Sequence, residues 1–163
     1  MNQKYILLIL ISLMMLSTGC KQKQGLKIHL SLDKSKYQLL DNIHATINII
    51  NNGDPVNINF RLKPFCGETG YFEKDWELNF LIFNSEGKEY FPDCPFMEMG
   101  EPPYRLLDDG GVYQFIDKRI SDFYRIREPG KYTIQAIYHN VYGSPDVWKG
   151  EIKSNVVTFT VEP

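Results

Sequence analysis

Between Lys131 and Tyr138 the side chains alternate in character with a period of two. Tyr132, Ile134, Ala136 and Tyr138 fall on one face, and Lys131, Thr133 and Gln135 on the other. Successive side chains of a strand point to opposite sides, so this run suits a β-strand that is half buried. Pro129-Gly130 directly before it supplies a turn. A strand of this kind needs partners, and Val156 to Val161 offers one after a polar loop. The stretch is expected at the centre of an antiparallel sandwich, which sets the class of the whole chain as all-β.

The first residues belong to a different problem. Lys4 precedes an apolar run from Ile6 to Leu16, 11 residues long, whereas a helix crossing a bilayer needs about 20. Such a run reads as an export signal. Leu16-Ser17-Thr18-Gly19-Cys20 resembles the bacterial lipobox, where a small residue precedes the cysteine that becomes the modified N-terminus. The resemblance covers the leader only. It implies a thioether-linked diacylglycerol on Cys20, with a further acyl chain such as palmitate, and more than one chain is what stable anchoring requires. The organisation expected is residues 1–19 as signal peptide, 20–25 as lipidated Cys and tether, and 26–163 as one β-sandwich domain in the bacterial cell envelope.

Cleavage before Cys20 leaves enough chain for a single domain to bury most of its apolar surface. The full sequence has 18 basic and 20 acidic side chains, and loss of Lys4 alone leaves 17 against 20, a formal balance of −3. That balance excludes the basic footprint of a nucleic-acid binder. With Cys20 assigned to lipid, Cys66 and Cys94 remain as an even pair in a compartment that permits disulfides.

Ile28, Leu30 and Leu32 alternate in a first expected strand, which stops at Asp33-Lys34-Ser35-Lys36. Ile43 to Ile49 forms a second, and Asn51-Asn52-Gly53-Asp54-Pro55 a strong turn. Val56 to Leu62 reads as a third strand, and Trp76 to Ile82 as a fourth, returning through Asn84-Ser85-Glu86-Gly87 to Lys88–Phe91 as a hairpin. Val112 to Lys118 is followed by a short turn at Ile120–Tyr124, then by the 130–138 strand and a last strand from Ser154 to Val161. Regularity fails in Lys63–Asp75 and in Pro92–Gly111, which read as long loops, and again between His139 and Gly150. Loops of such length in a compact domain have a task or a staple.

Asn51-Asn52 after an alternating strand, Trp76-Glu77-Leu78-Asn79-Phe80 before a Gly87 hairpin, and Pro129-Gly130-Lys131-Tyr132 before a late strand resemble bacterial immunoglobulin-like or fibronectin-type domains. These include the intracellular proteinase inhibitor class and small domains of envelope lipoproteins. The resemblance spans most of residues 26–161 and implies a single sandwich of about 7–8 strands. Tyr132 sits where these sandwiches place a tyrosine whose hydroxyl bonds backbone upstream. The cysteine pair that antibody domains place between facing strands is absent, and no inhibitory loop residues carry over.

Cys66 and Cys94 lie in the two long loops, and a bridge between them would pin those loops at one end of the sandwich, contributing roughly 3 to 4 kcal/mol in the chain-entropy picture. Metal ligation and free thiols are the alternatives. His29 and His44 fall on outward faces of neighbouring strands and read as solvated rather than as half a zinc site. Glu98, Glu101, Asp108 and Asp109 match no calcium-loop spacing. No motif fixes a nucleophile, and no cofactor is expected. Phe65, Tyr71, Phe72, Phe96, Tyr104 and Trp148 all lie in expected loops, where they either bind a protein or glycan or cap the core. The function expected is a membrane-anchored, non-enzymatic binding module. The alternatives are a structural accessory subunit of an envelope complex and a proteinase-inhibitor-like domain.

Overall fold

A computed structural model describes residues 25–59, 78–92, 104–141 and 144–163, with backbone alone at Asn59, Asp117 and Lys118. Cys20, Phe65, Cys66, Tyr71, Phe72, Cys94 and Phe96, with the modifications and binding roles expected of them, lie outside these residues, as do Glu98 and Glu101.

The described residues are all-β, with one 3-10 turn at Ile120–Asp122. Ten strands follow in order: β1 (Leu26–Leu32), β2 (Lys36–Gln38), β3 (His44–Asn51), β4 (Val56–Asn59), β5 (Leu78–Asn84), β6 (Glu89–Tyr90), β7 (Tyr104–Leu107), β8 (Val112–Arg119), β9 (Gly130–Asn140) and β10 (Gly150–Glu162). They form a three-stranded sheet in the order β1-β3-β8, a five-stranded sheet in the order β2-β10-β9-β5-β6, and a two-stranded ribbon of β4 and β7. The alternating stretch from Lys131 to Tyr138 lies in β9, the middle strand of the larger sheet, as its pattern requires.

Period-two burial explains why both sheets form and how they meet. In β9, Tyr132, Ile134, Ala136, Tyr138 and Asn140 are buried, and in β3 the same holds for Ala45, Ile47, Ile49 and Asn51. Inward residues of both sheets belong to one apolar cluster, in which Ile47, Ile49, Ile82, Ile134 and Ala136 are wholly buried. Each such Ile contributes roughly 1.5–3 kcal/mol by leaving water. The arrangement is compatible with a β-sandwich.

Buried tyrosines bring a hydroxyl into this core, and those of Tyr37, Tyr124 and Tyr132 find partners there. Tyr132 donates to the Glu128 carbonyl at 2.6 Å, the upstream backbone bond expected of it. Tyr37 donates to Asp33 Oδ1 at 2.6 Å. Tyr124 donates to the Phe80 carbonyl at 2.9 Å and accepts from the Phe80 N–H at 3.2 Å. Because β6 pairs only with Ile82 and Phe83, the outward backbone of Phe80 lies past its end, and the Tyr124 hydroxyl replaces the missing strand. Burial is the main cause that pushes all three phenols well above their ordinary range. The ring of Phe159 stacks on Tyr132 at 5.4 Å and meets the Tyr37 ring edge-on at 5.8 Å.

Several expectations need correction. The sheets are not wholly antiparallel, since β2 pairs with β10 in parallel through Lys36↔Thr160, Tyr37↔Val161 and Gln38↔Glu162. The stretch from Pro92 to Gly111 is not all loop, because it contains β7. The final strand begins at Gly150 rather than Ser154 and carries a bulge where the register jumps from Lys153 to Val156. Before the bulge Ile152 and Ser154 turn inward, and after it Val157, Phe159 and Val161 do, so the alternation changes phase. His29 stands opposite Asn48, and His44 opposite Arg119, which separates the two imidazoles along β3.

The bulge joins the sheets. Ser154 Oγ accepts from the Ala136 N–H at 2.9 Å and its carbonyl accepts from Gln135 Nε2 at 2.7 Å. That frees Asn155 to turn outward, where its Oδ1 accepts from the Leu30 N–H at 2.9 Å and its Nδ2 donates to the Leu30 carbonyl at 3.0 Å. Leu30 lies on β1, the edge of the other sheet, so one amide side chain pairs with an edge that would otherwise be open.

Candidate functional site

Past Ile50↔Val112 the chains of β3 and β8 kink and pair again as a separate ribbon, β4–β7. Asn51 holds the kink from inside. Buried to 1% exposure, its Nδ2 donates to the carbonyls of Asp54 at 2.9 Å, Leu107 at 2.9 Å and Asp108 at 3.2 Å, while its Oδ1 accepts from the Gly53 N–H at 3.1 Å. A side-chain amide that serves both turns fixes where the ribbon leaves the sheet.

The far edge of β4 is met by the connection between β9 and β10. Asn57 donates its backbone N–H to the Asp146 carbonyl at 3.4 Å, and its own carbonyl accepts from the Trp148 N–H at 2.8 Å. The Asn57 side-chain amide donates to Asp146 Oδ2 at 2.7 Å. Ser144 Oγ donates to the other oxygen, Oδ1, in a short bond. The hydrogen bonds from Ser144 and from the Asp146 backbone, with that from Asn57, hold this carboxyl below the usual carboxylate range.

Between the ribbon, the 144–149 connection and the start of β1 lies a cleft of about 520 Å3, lined by Gly25, Asp54, Asn57, Leu106, Asp146 and Lys149 among others. Its rim mixes carboxylates, an amide and an ammonium with the apolar faces of Pro55, Pro145 and Leu106. Mixed donors and acceptors on apolar walls suit oriented binding of a neutral or cationic group better than an anion, because Asp54 and Asp146 outnumber Lys149. Among the described residues no group of three or more His, Cys, Asp or Glu side chains is placed to hold a metal ion.

Of the aromatic residues expected to bind, two are described, and the structure treats them differently. Trp148 is 8% exposed and belongs to the core, with its ring 5.4 Å from that of Tyr138. Gly150, at φ 146°, leaves room for the indole, since a Cβ there would stand 3.1 Å from Trp148 Cζ2. Asn140 Nδ2 donates to the Trp148 carbonyl at 2.7 Å. Trp148 therefore caps the core, one of the two roles expected of the loop aromatics, and also lines the cleft. Its indole N–H is buried with no acceptor among the described residues. Tyr104 is 50% exposed on β7, a strand rather than a loop, two residues from Leu106 at 55%; of the two, Leu106 lines the cleft and Tyr104 does not.

A second, smaller groove of about 190 Å3 runs over the outer face of the larger sheet by Phe80, Tyr90, Phe91 and His139. Phe91 there is 61% exposed.

No protein-family model matches the chain, and no curated protein matches it either.

Proposed function

We propose that this chain is a lipid-anchored protein of the bacterial cell envelope whose immunoglobulin-like β-sandwich works as a non-enzymatic binding module for a protein or glycan. The fold type is supported by strand order. With β1, β3 and β8 as strands A, B and E of one sheet, and β10, β9 and β5 as G, F and C of the other, the pairing follows the immunoglobulin pattern. Tyr132 then lies near the start of F, and its bond to the Glu128 carbonyl has the form of a tyrosine corner. Ile134, two residues on and wholly buried, stands where antibody domains carry the second cysteine.

The observation that carries binding is the cleft built on rigid strand ends, with Asn57 and Asp146 fixed by each other at its wall. Asn59 and Tyr104 are register partners at the end of the ribbon. Cys66 follows the first by seven residues and Cys94 precedes the second by ten, which supports a bridge between them. Intact mass of the membrane-extracted protein tests anchor and bridge together: acyl chains on Cys20 and two thiols that resist alkylation without reductant are expected. Recovery of unmodified Cys20, or of alkylated Cys66 and Cys94, removes the corresponding part.

For binding, a photoreactive p-benzoylphenylalanine at Leu106 or Lys149 in native membranes should give a defined adduct, and at Ile116 none. Adducts of equal yield from all three positions would sink the cleft as the site. The accessory-subunit reading is favoured by Val112 and Ile116, exposed to 56% and 66% on edge strand β8, and an adduct from Ile116 alone would establish it instead.

A further inference from the structure

We infer that the domain stands on its membrane with the cleft end toward the bilayer. This rests on the lipid anchor at Cys20 proposed above, and it comes from where the chain joins the fold. The Gly25 carbonyl accepts from the Asn52 N–H at 2.9 Å. It lies so close to the next turn that a Cβ would collide with the Asn52 carbonyl carbon and the Gly53 nitrogen. The departure point of the tether is therefore fixed against the 51–54 turn, and Gly25 itself lines the cleft. From Cys20 to Gly25 there are five residues, which even fully extended span at most about 17 Å.

The register of the strands sorts the remaining turns into two ends. Near Gly25 lie Asn51–Asp54, Asp108–Gly111, the end of β9 at Asn140 and the start of β10 at Gly150. At the other end lie the Asp33–Lys36 and Asn84–Lys88 turns, the start of β9 at Gly130 and the end of β10. β9 runs between the ends, and its eleven residues extend about 35 Å at roughly 3.3 Å per residue. The tether is thus about half as long as the strand. A domain held by one end on so short a tether keeps that end within the tether's reach, while the opposite end stands roughly a strand length farther out. Whatever fills the cleft reaches it through the aqueous layer between domain and bilayer.

Asp54, Asp108, Asp109, Asp146 and Glu151 lie on the membrane-facing end, against Lys27, Arg105 and Lys149 of the domain and Lys21 and Lys23 of the tether. With the two signs in balance, the charge of this end does not draw the domain flat onto an anionic bilayer, and the orientation rests on the tether's attachment and length.

The test uses the full-length lipidated protein in nanodiscs of phosphatidylethanolamine and phosphatidylglycerol, doped with a lipid that carries a gadolinium chelate on its headgroup. Paramagnetic broadening falls with the sixth power of distance. Amide signals of Gly53, Gly110 and Lys149 should therefore lose intensity severalfold more than those of Leu40, Gly87 and Glu128. Uniform broadening, the reverse gradient, or broadening along one long face from end to end overturns the orientation while leaving the anchor intact. Intact mass of the same sample separates the two claims, since a chain without acyl groups overturns both.

Discussion

Leu40 occupies a backbone conformation that its side chain makes costly. It sits at φ 79° in the turn from Gln38 to Asp41, closed by the Asp41 N–H to the Gln38 carbonyl at 3.0 Å. The third position of such a turn takes positive φ and is usually Gly or Asn. Leucine there suffers a contact between Cβ and the following carbonyl, and at 85% exposure it recovers nothing by burial. The left-handed cost of about 1–2 kcal/mol for a residue with a Cβ exceeds the roughly 0.5–1 kcal/mol that glycine loses in chain entropy. Leu40→Gly is therefore expected to stabilise the domain by about 0.5–1 kcal/mol, read as a higher urea midpoint at unchanged slope. A lower midpoint would mean that the Leu40 side chain makes a stabilising contact. By contrast, Tyr132 shows a residue whose role was legible in the sequence: Pro-Gly-Lys-Tyr before an alternating strand places the phenol at a corner, and the hydroxyl bonds Glu128 there.

At the level of elements, strands β3 and β9 could be read because apolar and polar residues alternate along most of their length, with breaks only at Ile50-Asn51 in β3 and at Ile137 and Asn140 in β9. Strand β2 could not, as three residues with Tyr37 alone buried make no period. Nor could β7, where Tyr104, Arg105 and Leu106 are all exposed and only Leu107 turns inward. In β10 the bulge reverses the phase of alternation, so a reading by strict period two recovers only the part after Ser154. The cleft was still harder to see, since Asn57 and Asp146 are 89 residues apart and their bond exists only once β4 meets the 144–149 connection. Trp148 was visible as an aromatic in a loop, but a loop aromatic that caps a core looks the same in sequence as one that greets a ligand. The bulge itself can be tested. Asn155→Ala leaves the Leu30 N–H and carbonyl without their partner and should cost about 1–3 kcal/mol, with faster hydrogen exchange at the Leu30 amide. Exchange at Leu30 that stays as slow as before would show that β1 does not depend on Asn155 for its edge.

For the whole molecule, the question is whether the cleft end folds as part of the sandwich or opens by itself. The β4–β7 ribbon belongs to neither larger sheet, which would permit separate opening. Its anchors argue otherwise. Ile58 is wholly buried and Leu107 nearly so, both within the same apolar cluster as Ile47 and Ile134. Asn51, at the end of β3, holds both of the ribbon's turns. Trp148 spans the gap from the other sheet, its ring resting on Tyr138 of β9 while its backbone N–H donates to the Asn57 carbonyl of β4. Opening the ribbon would thus expose buried Ile58, strip Asn51 of its partners and uncover Tyr138, a loss shared with the core. Stability that is shared in this way is lost in one step. In a Trp76→Phe background, the fluorescence of Trp148 should therefore follow the same urea transition as far-UV circular dichroism, with one midpoint. A fluorescence midpoint at clearly lower urea would make the cleft end a separate unit of low stability, and binding there would then have to include the work of ordering it.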